Sequence, residues 1–201
     1  MIEPLRSDLP LSEASSQLLL LLERHCAAFP PLREELASHR ALTHALAKQQ
    51  LRSAQALRAW RAAIARRWAC EIAAQRLYDQ AQHQFHHHYR NDPAYAQLIA
   101  PGHPGAASTA ADLLHELRRI AAALELLTPR PPFAAELLAD LHASATDLEA
   151  AIEHTRRCEA ERRSLLSEER VAAKLFAQAC ERSHRLLSHY LGDQASDLPP
   201  A

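Results

Sequence analysis

Apolar positions in this chain recur at helical spacing over long stretches with few interruptions. In the C-terminal stretch they follow a seven-residue period. One series is Leu138, Ala145, Ile152, Glu159, Leu166, Ala173, Cys180 and Leu187, and its companion is Leu141, Leu148, Thr155, Arg162, Glu169, Phe176, Ser183 and Tyr190. A sustained heptad predicts a long helix packed along another helix. Both ends of the stripe are apolar and its middle is polar, so the ends are expected to be the better buried parts.

A second long helix is predicted from Leu32 to about Arg90, a stretch with neither proline nor glycine. Shorter helices are predicted over about 11–28 and 109–127, the first starting near Ser12. Each runs into a proline corner, Phe29-Pro30-Pro31 and Thr128-Pro129-Arg130-Pro131-Pro132. Ser108 or Thr109 suits the N-cap of the third helix, and Gly192 suits the C′ position of the last, at about 133–191. Residues 1–10 read as a loose arm and 193–201 as a flexible tail. Residues 91–107 read as a linker with one helical turn at Ala94–Ile99.

These elements repeat. His83-Gln84-Phe85-His86-His87-His88-Tyr89 matches His184-Arg185-Leu186-Leu187-Ser188-His189-Tyr190, 101 positions on. Pro30-Pro31 and Glu35-Leu36 match Pro131-Pro132 and Glu136-Leu137 at the same offset. The expected fold is therefore all-α: a short-helix/long-helix hairpin over 1–90 and a second over 108–192. A long helix cannot cover its own apolar stripe. The two hairpins are expected to lie antiparallel, as an elongated, coiled-coil-like bundle with pseudo-twofold symmetry. The competing arrangement is a compact four-helix bundle with both long helices broken.

Composition agrees with helix. Apolar residues reach 48%, glycines number 3, and runs of β-branched residues are absent. The net charge of −1 creates no global attraction for nucleic acid or membrane. Cys26, Cys70, Cys158 and Cys180 form no CxxC and are expected as reduced thiols. Leu18–Leu22 is too short for a signal or membrane segment, so a cytoplasmic protein is expected.

Four groups of residues could carry a function. His83 and His87 are spaced i, i+4, and Glu181 with His184 forms an ExxH, the element used by di-iron helical bundles. The matching first-half position is Gln80, so a di-iron set is incomplete. The simpler reading is a histidine-rich helix end that complements the helix dipole. No cofactor is expected, and a transition metal at these four residues is the alternative. Next, Leu36 to Cys70 holds seven basic residues, Arg58, Arg61, Arg66 and Arg67 among them, and no acid. Such a helix could meet nucleic acid or an anionic membrane. In the antiparallel arrangement, however, Arg52 to Arg67 would face Glu159, Glu161, Glu168 and Glu169. Third, Trp60, Ile64, Trp68 and Ile72 recur every four residues, and Trp60 and Trp68 read as anchors for a protein partner. Fourth, the Leu18–Leu22 run is apolar all round its helix, which puts Leu18 and Leu22 forward as dimer contacts. No GxSxG, P-loop or GxGxxG is present. The reading is a non-enzymatic helical scaffold that forms a homodimer and binds an unidentified protein partner.

Overall fold

A computed structural model describes residues 8–89 and 109–192, and the side chains from Ser15 onward. The predicted linker with its Ala94–Ile99 turn, and the tail at 193–201, lie outside the described residues. Among those residues every regular element is an α-helix, in the order α1 (Asp8–His25), α2 (Pro30–His88), α3 (Ala110–Leu126) and α4 (Ala134–Leu191). The long helices α2 and α4 are single elements of 59 and 58 residues, not broken ones.

The ends follow local chemistry. α1 starts at Asp8, before the expected Ser12, and includes Pro10. Proline is tolerated in a first turn because the first N–H groups have no helical acceptor. The same reasoning lets Pro30 and Pro31 open α2. Thr109 caps α3: its Oγ1 accepts the Asp112 N–H at 3.2 Å. Gly192 follows α4 with φ +55°, the left-handed conformation that glycine adopts without a Cβ penalty.

The chain forms two compact units, 1–56 with 162–201, and 57–161, so each unit draws on both halves of the sequence. In the first unit, α1 packs on the N-terminal part of α2 and the C-terminal part of α4. Its apolar core is Leu18, Leu22, Leu32, Leu36 and Leu187. Pairing between α2 and α4 is antiparallel there: Glu35 meets Ser183, whereas Gln49 and Ser53 reach the Leu165 carbonyl. In the second unit, α3 packs on the other parts of the long helices. Its core centres on Phe85, Leu117, Ile120, Leu124, Leu141 and Leu148. Thr155 Oγ1 donates to the Ala63 carbonyl at 3.2 Å, while Phe85 meets Phe133 edge-on with centroids 5.5 Å apart. That pairing is antiparallel as well.

The buried side of α4 is wider than the two heptad series. The companion series from Leu141 to Tyr190 is buried or half-buried throughout. The expected series is buried at Ala145 and Leu187, half-buried at Leu138, Ile152, Glu159, Leu166 and Cys180, and exposed at Ala173. A further row one residue earlier, Leu137, Ser144, Ala151, Cys158, Leu165, Ala172, Ala179 and Leu186, is buried or half-buried throughout. Most of these side chains are small. They let helix backbones approach, while Leu138, Ile152 and Leu166 beside them are half-buried and Leu187 closes the core near the helix end.

Leu141→Ala should lower stability by about 2–5 kcal/mol, because its side chain is fully enclosed. Leu126→Ala, at a residue 82% exposed, should change it by no more than about 0.5 kcal/mol. Urea unfolding followed by helical circular dichroism measures both.

Candidate functional site

The strongest concentration of polar chemistry lies inside the first unit, where α1, α2 and α4 meet. His39 on α2 is 0% exposed. Its Nε2 lies 3.1 Å from Ser15 Oγ on α1, and its Nδ1 lies 2.8 Å from Ser183 Oγ on α4. Ser183 donates to Glu35 Oε1 at 2.7 Å. The other carboxylate oxygen of Glu35 accepts from Arg182 Nε at 2.7 Å, and Arg182 also donates to Ser38 Oγ at 3.1 Å. Phe176 closes the site, edge-on to the imidazole at 5.7 Å.

The bonds fix one proton order. A serine hydroxyl has a single hydrogen, and Ser183 gives its own to Glu35. Ser183 must then accept from His39 Nδ1–H, which leaves Nε2 as acceptor for the Ser15 hydroxyl. The tautomer follows by elimination. Burial pushes the His39 pKa below its usual value; Glu35 acts in the opposite sense, and Arg182 adds to the lowering. Burial raises the pKa of the neighbouring Cys180 thiol. Ser15, His39 and Glu35 match a nucleophile, base and carboxylate in composition only. Ser183 stands between His39 and Glu35, and Ser15 is buried, so no reacting atom has access to the hydroxyl. What this relay does is satisfy buried polar groups from three helices at once.

Sequence reasoning passed over His39, Ser15 and Ser183. A signal was available: Glu35 and His39 share the Leu32–Leu36 face at i, i+3, i+4 spacing, where an apolar residue would be the norm.

The residues singled out by sequence are dispersed. Leu18 and Leu22 are core residues of the first unit, not surface contacts; Leu20 is the exposed member of that run. Trp60 is half-buried, while Trp68 is 63% and Ile72 52% exposed. A four-residue step overshoots the helical repeat by roughly 40°, so a stripe that begins at the buried seam walks out to solvent. Arg67 points inward, its Nε 2.9 Å from Glu71 Oε1, close enough for an ion pair but without hydrogen-bond alignment. Arg58, Arg61 and Arg66 are exposed. Of the expected arginine–glutamate pairs, Arg52–Glu168 forms at 3.4 Å with both partners half exposed, a geometry that contributes little stability. His83 and His87 are exposed on α2 in the second unit. Glu181 is exposed and His184 half-buried on α4 in the first. Among the described residues no three His, Cys, Asp or Glu side chains converge as a metal site, and no helix is long and apolar enough to cross a membrane.

No protein-family model matches this chain, and no curated protein or solved structure matches it.

Glu35→Ala should cost about 1.5–3 kcal/mol, because it strips the charged acceptor from Arg182 and Ser183. Glu136→Ala, at the exposed counterpart in the sequence repeat, should change stability by about 0.5 kcal/mol or less. Urea midpoints of the two variants give the comparison.

Proposed function

We propose that this protein is a non-enzymatic helical scaffold, built from two copies of one hairpin, that works by docking a second copy of itself. The observation that carries the reading is the exposed Trp68–Ile72 pair. These large side chains sit one turn apart on α2 with Arg58, Arg61 and Ala65 before them and Arg76 after them, all within about 80° of one helix face. A face with an aromatic anchor between arginines has the composition of an interaction hot spot.

Charge selects the occupant. Two such faces brought together would set arginine against arginine. The exposed pair Val171 and Leu175 on α4 follows Glu161 and Glu168 along one face. Both faces run from charged to apolar in the N-to-C direction, one basic and the other acidic. A parallel contact between α2 of one copy and α4 of another places Trp68 and Ile72 beside Val171 and Leu175, with Arg58 beside Glu161 and Arg61 between the levels of Glu161 and Glu168. Opposite potentials of this kind set register and partner choice.

The duplication draws support from burial. Leu32, Glu35, His39, Gln49, Ala56, Ala63, Ala74 and Ala81 are buried on α2. So are the residues 102 positions later: Ala134, Leu137, Leu141, Ala151, Cys158, Leu165, Phe176 and Ser183. Leu18 and Leu22 on α1 match Ile120 and Leu124 on α3 at the same offset. The packing register is thus one residue longer than the 101-residue spacing of the histidine and proline motifs, and an alternation of three- and four-residue steps gives both long helices a coiled-coil-like seam.

Sedimentation velocity over a range of concentrations tests the docking. The natural chain should self-associate, and Trp68→Glu should weaken association at least ~30-fold with helicity unchanged. Arg61→Glu and Glu161→Arg should each weaken it, and the double variant should recover it in part. A monomer at every concentration would overturn the proposal.

A further inference from the structure

We propose that the Ser15–His39–Ser183–Glu35 relay is an acid-sensitive latch that holds α1 in place and releases it when His39 takes up a proton. His39 is fully buried, and its two ring nitrogens meet hydroxyl groups, Ser15 from α1 and Ser183 from α4. With both nitrogens protonated, Nδ1–H still donates to Ser183, while Ser15 has to turn its hydrogen away and accept from Nε2–H. The added charge stays out of reach of water while α1 is closed, and opening α1 hydrates it.

Burial outweighs the support that the surroundings give the imidazolium. The charged groups that face His39 are Glu35, from its own helix, and Arg182, from α4. Glu35 favours the charged ring, but its carboxylate is bonded to Arg182 and Ser183 and not to the imidazole, and Arg182 opposes it. From α1 comes the neutral Ser15, and from α4 also the ring of Phe176 and the protonated Cys180 thiol. A buried cation whose ring nitrogens bond to hydroxyls and not to a carboxylate is costly. The direction of linkage follows. The folded-state pKa lies below the unfolded value of 6.5. The stabilising effect of the neutral ring is therefore complete above about pH 6.5 and lost as pH falls from there through the folded-state value.

The response centres on α1 because α1 carries Ser15, which covers His39 Nε2. Among the side chains described for α1, Leu18 and Leu22 are buried, and Leu19 and Leu21 are partly buried against the same core. The second unit shows that the fold does not need polar groups at these positions. The residues 102 positions from Ser15, Glu35 and His39 are Leu117, Leu137 and Leu141, and the residue 102 positions before Ser183 is Ala81; all four are buried. An apolar set packs there without any relay. Opening of α1 would uncover Leu32, Leu36 and Leu187, an apolar surface suited to another amphipathic helix.

Native-state hydrogen exchange on the full chain, corrected for the intrinsic pH dependence of exchange, tests the latch. Between pH 7.5 and 5.5, amide protection in Ser15–His25 should fall by up to tenfold per pH unit below about 6.5, the slope of a single proton. Protection in α3 should not change. Two variants control for folding: His39→Gln, which keeps polarity without titrating, and the fourfold change Ser15→Leu, Glu35→Leu, His39→Leu and Ser183→Ala, which installs the set from the second unit. Both should flatten the response of α1. Natural-chain protection that is independent of pH would overturn the proposal. So would an equal loss in α1 and α3, or an unchanged acid response in His39→Gln.

Discussion

A helix of almost sixty residues carries an apolar seam that it cannot shield, and the rest of this structure answers that constraint. In each compact unit the seam of one long helix is covered by the other long helix and by one short helix. The proline corners permit this, because they fold each short helix back onto the long helix that follows. Small residues in the seam, Ala63, Ala74, Ala151 and Ala179 among them, then let the long helices approach closely. With so many small side chains, the contact is spread along the helix and no single large core residue dominates it.

The two units solve the same packing problem with different chemistry. The second is filled by leucine, isoleucine and phenylalanine, and its stability is mostly a matter of apolar area. The first replaces part of that filling with Ser15, Glu35, His39 and Ser183. A buried polar set of this kind gains little net stability over apolar packing, since each hydrogen bond replaces one to water. It does impose direction. Each donor requires its acceptor, so the three helices meet in one register, and the state of one imidazole proton affects them all.

The surface carries a separate logic. Trp68 and Ile72 are exposed because the four-residue spacing of their stripe departs from the heptad, which sends them away from the seam that holds Trp60. Arginines flank them, and the exposed apolar pair on α4 is preceded along its face by Glu161 and Glu168. The self-docking proposal therefore rests on the exposed apolar side chains of Trp68, Ile72, Val171 and Leu175, and the latch draws on residues that no surface contact could reach.

The sequence by itself determined the helical class, the four helices and the corners between them. Helix propensity, proline and glycine act locally, so Pro30-Pro31, Thr109 and Gly192 announce their roles without reference to the fold. It also carried the repeat of motifs, and two of the rows on the buried side of α4. Tertiary structure decided which side of each helix is inside. Alanine and serine have almost no transfer free energy to mark them as core. The row through Ala151, Cys158 and Ala179 therefore went unread, on sequence, beside its bulkier neighbours one residue later. It likewise decided the fate of the polar residues. Glu35 and Glu136 occupy matched places in the motif repeat, yet one is buried and the other exposed. Whether a carboxylate can be buried depends on Arg182 and Ser183 arriving from almost 150 residues away, and such long-range pairing leaves no periodic trace in the chain.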